Sequence, residues 1–466
     1  MKKYIFTLLS FMLVLASCEV DSDLNIDQKN PSSVPSSGLF ANGTRNFFDR
    51  INGWHENRLY AQYWAQTTYP EASQYVMTGL RNNVWATIYS NVLQDFKGAK
   101  ELIIANNEEN ATNKLAIIDM MEVFAYSTLV DNYGDIPYTE ALDSDNANPK
   151  YDDAATIYSD LMSRLSADID NLDVTKAGFG AGQDPVYGGD VVMWKKAASS
   201  LLLRLALRVA DVDASKASAM AIKGAAGAIT VNDENFGINY LDASPNTNPI
   251  YADLVLSGRN DYVAANTLVD IMNPLNDPRM GHYFEKKDGV YTGGEYGTAN
   301  AASGFSAISD QLKTADLKGT VISASEVAFL KAEAVARGIN LGGTVSVHYD
   351  NAITLSITEW GGSEADASNY LTQSSIPYAT ANGDWKEKIA TQKWIAMYGI
   401  PFEGWTAWRL LDKPTLNAPE GMSYSDIPTR ILYPTTEAQL NGTAYNSAAS
   451  KIGGDEKTTK LFWDKN

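Results

Sequence analysis

The sequence predicts a mostly α-helical protein in which four helix pairs stack in a tetratricopeptide-like array joined by long irregular loops. Three observations predict it. Apolar residues recur at spacings of three and four, or run without interruption, along segment after segment. Capping and terminating residues stand at the ends of several segments. Between them lie stretches rich in Gly, Asn, Pro and Tyr, chiefly residues 228–320 and 412–466; loops of that length are usually functional or wrapped around a scaffold.

The chain opens Met1-Lys2-Lys3, runs apolar from Tyr4 to Ala16 and reaches Leu15-Ala16-Ser17-Cys18. A basic start, a short apolar run and small residues before a cut describe a secretory signal peptide over residues 1–17. The run is shorter than the roughly 20 residues a membrane helix needs. Its Leu-Ala-Ser-Cys ending matches the bacterial lipobox, whose cysteine becomes the acylated first residue of the mature protein. Cys18 is the single cysteine of 466 residues, so no internal disulfide can form and the core must stabilise the fold. Lipid on Cys18 is the expected attachment to a membrane. Residues 18–40, polar and turn-rich through Val34-Pro35-Ser36-Ser37, read as an acylated tether, and 41–466 as the body.

In the body, Val84, Ile88, Val92, Phe96, Ala99 and Ile103 mark one face of a helix over 82–105. Residues 114–132 are apolar almost all round, apart from Asp119 and Glu122, which predicts a buried helix packed on the one before. Ala154, Tyr158, Leu161, Leu165, Ile169 and Leu172 mark a third, with 194–210 as its expected partner. Ser323 and Glu326 have capping-box spacing, opening a helix that should end at Gly338. A further pattern covers 345–360. Asp384 starts another helix ending near Gly399, and Pro401 can begin the last, with Phe402, Trp405, Trp408 and Leu411 on one face.

Charge and composition exclude several functions. Removing residues 1–17 takes away two lysines and no acid, so the formal charge of −19 becomes −21, from 35 basic and 56 acidic side chains. Such a surface repels phosphate backbones, and no nucleic-acid partner is expected. Tyr (25) and Trp (10) are plentiful and His (3) scarce, which favours stacking over acid–base or metal chemistry. His55, His282 and His348 are far apart, so neither a metal nor another cofactor is expected. Gly178-Phe-Gly-Ala-Gly182 lacks the lysine of a phosphate loop. Asp143-Ser-Asp145 opens like a calcium loop but has Ala147 and Ala154 where ligands belong. No Gly-x-Ser-x-Gly elbow occurs, and no catalytic residue is assigned, although 56 acidic residues leave a carboxylate pair possible.

Several segments resemble one family when taken in order. They are Leu24-Asn-Ile-Asp27 with Asn30-Pro31, the run Asp131-Asn-Tyr-Gly134-Asp135-Ile-Pro137-Tyr138, Asn276-Asp277-Pro278-Arg279, Ser325-Glu326 through Glu333, and Leu461-Phe-Trp463-Asp464. Together they resemble the SusD/RagB family of outer-membrane nutrient-binding lipoproteins, in the branch called SusD-like 2. The resemblance implies that the irregular loops carry the ligand site on the helical scaffold. It also implies a cell-surface lipoprotein that captures glycan for a SusC-like TonB-dependent transporter. Glu19, Asp21 and Asp23 look like the acidic export tag of surface-exposed members. The run from Asp131 to Pro137 reads physically as a helix end and packed turn.

Sugars are held by aromatic faces, with amides and guanidinium groups on their hydroxyls. The densest stretch of such residues offers Trp64, Tyr69, Tyr75, Arg81 and Asn82, and a second, Arg259, Tyr262, Tyr291 and Tyr296. Trp194 and Trp394 are expected in the core. Rival readings of the same chain are a peptide- or glycopeptide-binding lid, a lipid-anchored glycoside hydrolase and a purely structural lid.

Overall fold

Where apolar side chains recur once per turn the chain coils, because a helix brings positions three and four apart onto one face. The computed structural model describes residues 34–77 and 80–465. The leader, Cys18, the acidic run at 19–23 and the tether as far as residue 33 lie outside those residues. The principal helices are α1 (Ser36–Asn52), α2 (Gln94–Ala105), α3 (Ala111–Tyr133), α4 (Ala154–Asn171), α5 (Val191–Arg208), α6 (Ala214–Gly227), α7 (Ala324–Ala336), α8 (Val345–Glu359), α9 (Trp385–Ala396) and α10 (Pro401–Leu411). Ahead of α2 a helical segment, Leu80–Ala86, runs into it through a π-helical turn, Thr87–Leu93.

Consecutive helices lie against each other: α1 on α2, α3 on α4, α5 on α6, α7 on α8 and α9 on α10. In addition α4 touches α5, and α7 touches both α5 and α9, so the pairs form one stacked array. The scaffold is the tetratricopeptide-like one expected, with its pairing displaced. The 154–172 segment packs on α3 as well as on its expected partner, because the sequence reading omitted α1 and α6. Helix α1 begins inside the stretch read as tether. Ser36 and Phe40 are buried, and Phe40 stacks on Phe179 with ring centroids 4.0 Å apart, so the body starts before residue 41. Helix α6 packs through Ala217, Ala221 and Gly224. A Cβ at Gly224 would stand 2.7 Å from the Leu203 amide nitrogen and the Ser199 carbonyl, so the missing side chain lets α6 lie directly on α5.

Helix starts follow the chemistry of their caps. Asp153, Asp190, Asp213, Thr344 and Asp384 each accept from an amide in the first turn. Ser323 accepts from the Glu326 amide, yet the reciprocal half of the expected capping box does not form. The Glu326 carboxylate instead takes a fork of two bonds from Arg204, at 2.7 and 2.6 Å, inside the core. Gly338 ends the α7 region with φ +86°, and Pro401 opens α10. Trp194 and Trp394 are fully buried.

Helix α3 is buried almost throughout, and its end organises the molecule. Asp131 accepts from the Tyr158 hydroxyl at 2.5 Å and the Trp463 indole at 2.9 Å, and pairs with Arg208 at 3.2 Å. Arg208 continues to Glu403 at 2.9 Å, and Glu403 to Arg204 at 3.6 Å. Asn132 and Tyr133 offer their carbonyls to the Ile431 amide and to Arg430. Asp135 caps the Ala154 amide at 2.8 Å. The segment from Asp131 to Pro137 is therefore a packed helix end, as its residues read physically.

Removing one partner from a buried ion pair leaves an uncompensated charge and costs about 3–5 kcal/mol. Glu403→Ala should destabilise the protein by that order in urea titrations. Nearer the surface, Lys100 and Arg164 both pair with Asp119 and Glu122. Burial, then the neighbouring Asp119 charge, pushes Asp168 up to about 8. Its folded value lies above the unfolded one, so its contribution is fully present below about pH 4 and lost as pH rises through 8. Asp168→Asn should flatten the fall in melting temperature between pH 5 and 8.

Candidate ligand-binding face

Strand β1 (Trp64–Gln66) pairs antiparallel with β3 (Tyr262–Ala264), and β2 (Phe236–Ile238) with β4 (Gly319–Ile322). The first pairing brings the two aromatic stretches singled out from sequence onto one face. Beyond it the Thr67 amide donates to the Asp261 carbonyl, and the Thr67 hydroxyl to that of Asn260, both at 2.8 Å. A third loop joins them: Asn300 donates to the Gln66 carbonyl, and Gln74 to that of Gly297, each at 3.0 Å.

At the tip of this face Tyr69 is 76% exposed. Its backbone sits at φ +54°, a region that side chains with a Cβ rarely enter. Gln66 holds it there. The Gln66 amide donates to the Tyr69 carbonyl at 2.8 Å, while its oxygen accepts from the Ser73 amide and hydroxyl. On the loop bonded to this one through Thr67, Arg259 and Asn260 are exposed. Arg259 donates to Asp261 at 2.8 Å and to Asp253 at 3.2 Å, and those bonds hold its guanidinium above the usual value. A cleft of about 180 Å³ opens there, lined by Leu254, Arg259, Asn260, Asp261, Tyr262 and Lys313. A planar amide and an oriented guanidinium thus share one rim, and the Thr67–Asn260 bond ties it to the loop that carries Tyr69.

Four of the expected site residues are core instead. Trp64 is fully buried, with Arg58 over its ring at 5.0 Å and its indole donating to the Tyr398 hydroxyl at 3.0 Å. Tyr262 lies against it, with centroids 5.1 Å apart. Tyr75 and Tyr296 are buried against each other, and burial pushes both hydroxyls upward. These rings fall on the inward side of the strand pair or under the loop, so they brace the face, with only part of Tyr262 reaching the cleft. Tyr291 is half-buried, its ring 5.4 Å from the Lys286 ammonium. Arg81 lies within the Leu80–Ala86 helix, not in the loop expected, and Asn82 lies in that helix as expected; their side chains are outside the described residues.

Sequence reading missed a second concavity. It encloses about 410 Å³ and is lined by Trp85, Tyr89, Gln94, Pro137, Leu440 and Asn441, among others. Trp85 and Tyr89 sit one turn apart where the π-helical turn begins, their rings 5.0 Å apart. Their spacing of four was the signal that could have found them, since both fall beside the apolar face marked by Val84 and Ile88. The three histidines serve separate local contacts with Glu56, Gln311 and the Gly342 carbonyl. Among the described residues no group of three or more His, Cys, Asp or Glu could hold a metal ion.

A family model described as starch-binding associating with outer membrane matches residues 28–434. Among solved structures, a chitin-binding protein superposes with a TM-score of 0.81 at 24% identity, over 92% of this chain and 100% of its own. A chitin-binding SusD homologue from Flavobacterium johnsoniae gives 0.77 at 24%, over 92% and 99%. A SusD-like protein from Bacteroides thetaiotaomicron gives 0.80 at 24%, over 93% and 99%. At these identities the likeness shows the fold. Among curated proteins none matches this sequence significantly.

The burial difference within the loop is directly testable. Tyr75→Ala should cost about 3–5 kcal/mol, the range for emptying a buried aromatic site. Tyr69→Ala should change stability by no more than about 0.5 kcal/mol. Guanidinium titrations of both variants check the contrast.

Proposed function

This chain belongs to the SusD-like 2 family of starch-binding proteins associated with the outer membrane, and from that premise we propose that it captures oligosaccharide at the Tyr69 face without reacting with it. The carrying observation is an exposed tyrosine on one of three mutually hydrogen-bonded loops, another of which presents the exposed Arg259 and Asn260. The C–H face of a sugar ring stacks on such a ring, and its hydroxyls take bonds from the amide and the guanidinium. The chitin-binding structural neighbours make chitin oligomers, beside starch oligomers, the first ligands to try.

Lipid on Cys18 holds the protein at the cell surface. Among the described residues no helix is long and apolar enough to cross a membrane. Captured glycan is therefore handed to a channel protein, a SusC-like TonB-dependent transporter beneath it. The anchor keeps this chain at high effective concentration above that channel, so their contact need not be tight.

Calorimetric titration with maltooligosaccharides and chitooligosaccharides, together with a reducing-end assay, tests the reading. At least one series should bind, and Tyr69→Ala should weaken it several-fold, as loss of about 0.5–1.5 kcal/mol of stacking implies. No reducing ends should appear. Binding untouched by Tyr69→Ala would remove this face as the site, and turnover that depends on one carboxylate would replace capture with hydrolysis.

A further inference from the structure

A cavity of about 350 Å³ lies away from the Tyr69 tip, where α1, the short helix His55–Tyr60, the segments around Asn232 and Lys318, and the end of α8 converge. Its wall is a connected polar ring. Arg58 donates to the Asn52 carbonyl at 3.2 Å, and Asn52 reaches the Gly319 carbonyl at 3.4 Å. The neighbouring Lys318 donates to the Asn235 carbonyl at 2.7 Å, and the Asn235 amide to Glu359 at 2.8 Å. Next to Glu359, Thr358 accepts from Asn232 at 3.1 Å.

Two features of this ring are unfinished. Arg58 is only 2% exposed, yet among the described residues no carboxylate pairs with it and its Nε has no hydrogen-bond partner. The Trp64 ring lies 5.0 Å from its guanidinium, and Tyr398, Tyr262 and Asp253 add attraction without a direct ion pair. The carbonyl oxygen of the Asn232 side chain is likewise buried without a donor. Buried polar atoms are nearly always satisfied, and a buried guanidinium lacking a counter-ion is costly. The acids of the ring do not supply that counter-ion. Asp233 is exposed to solvent, and burial pushes Glu359 up to about 7, so it is only partly ionised at neutral pH. Burial also lowers Arg58, to about 10, which leaves it charged.

We propose that this cavity is a second binding site, taking a single carboxylate-bearing sugar of the uronic-acid class whose carboxylate pairs with Arg58 while its hydroxyls meet Lys318, Asn232 and Glu359. Guanidinium and carboxylate match in a planar fork. A sugar hydroxyl supplies the donor that the Asn232 oxygen lacks. The volume is near the lower end of the roughly 300–1,000 Å³ typical of ligand pockets, which suits one ring and excludes a long chain. The acid site thus differs from the Tyr69 face in both ligand charge and ligand length.

Calorimetry on the full mature chain with D-glucuronate, D-glucose and acetate tests the assignment. Glucuronate should bind saturably, with glucose and acetate each at least about tenfold weaker, since each lacks one half of the recognition. Lys318→Gln, at a half-buried position that should tolerate the change, should weaken glucuronate about tenfold. Arg58→Gln should abolish binding while far-ultraviolet circular dichroism stays native; if that variant does not fold, Lys318→Gln decides alone. Tyr69→Ala should leave glucuronate affinity unchanged, which separates this site from the oligosaccharide face. Absence of saturable glucuronate binding, equal binding of acetate or glucose, or full affinity in Lys318→Gln would each overturn the proposal.

Discussion

The constraint on which the rest depends is a set of charges that cannot be buried except together. Asp131, Arg208, Glu403, Arg204 and Glu326 come from α3, α5, α10 and α7, and each is at most 3% exposed. Any one alone would face a desolvation penalty of several kcal/mol, so the helices must meet in the arrangement that pairs all of them. Apolar packing alone would let α5 slide along α3 at little cost. The ion pairs remove that freedom, since a shift of one turn would strand Arg204 or Arg208. Arg409 extends the same logic to the chain end: it donates to the Asp131 carbonyl at 2.6 Å and lies 3.7 Å from the Trp405 ring centroid. The C-terminal Trp463, bonded to Asp131, closes the set.

From that fixed core the loops inherit their positions through polar side chains rather than through regular structure. Gln62 is fully buried, accepts from the Asn417 amide and the Thr267 hydroxyl, and donates to the Asn417 carbonyl, tying three distant segments at one point. Asn300 does similar work between Gln66 and Glu295. Two-stranded ladders only three residues long, such as β1–β3, are weak by themselves. They hold here because amides buried beneath them have no alternative partners in water. A ligand face built in this way can be irregular and still stay in one shape.

This division explains what the sequence disclosed. Residues 114–132 were legible because an uninterrupted apolar run has one physical outcome, burial on all sides. Helix α6 was not, because Ala and Gly at 217, 221 and 224 carry little hydrophobic signal, and their value lies in closeness to α5. Helix α1 was masked by a Pro- and Ser-rich start that reads equally well as a tether. The Ser323–Glu326 spacing signalled a helix start correctly, but a partner 122 residues away in sequence claimed the glutamate. Among the site candidates, composition identified the right loops without separating rim from brace. Tyr69 and Tyr75 lie in the same turn-rich stretch, and only the contact of Tyr75 with Tyr296, from another loop, sends one inward.

Those two tyrosines share a strained backbone and differ in what their side chains gain from it. Gln62, Tyr69 and Tyr75 all have positive φ, at 58°, 54° and 65°. A residue with a Cβ gives up roughly 1–2 kcal/mol in that region. For Gln62 and Tyr75 the return is visible in the folded protein: buried side chains that join Asn417, Thr267 and Tyr296. The Tyr69 ring has no comparable return, since it makes no hydrogen bond or ring contact among the described residues and stands in solvent. Its strain is nevertheless maintained, by a buried glutamine whose amide and carbonyl are both committed to the turn. A glycine would relieve that strain and remove the ring. Strain kept for an exposed aromatic side chain stabilises nothing within the chain, and that is the ground on which Tyr69 is proposed as a ligand contact. A turn already fixed in place leaves only the rotation of the ring to be ordered on contact, so a weak stacking interaction would keep more of its energy for binding.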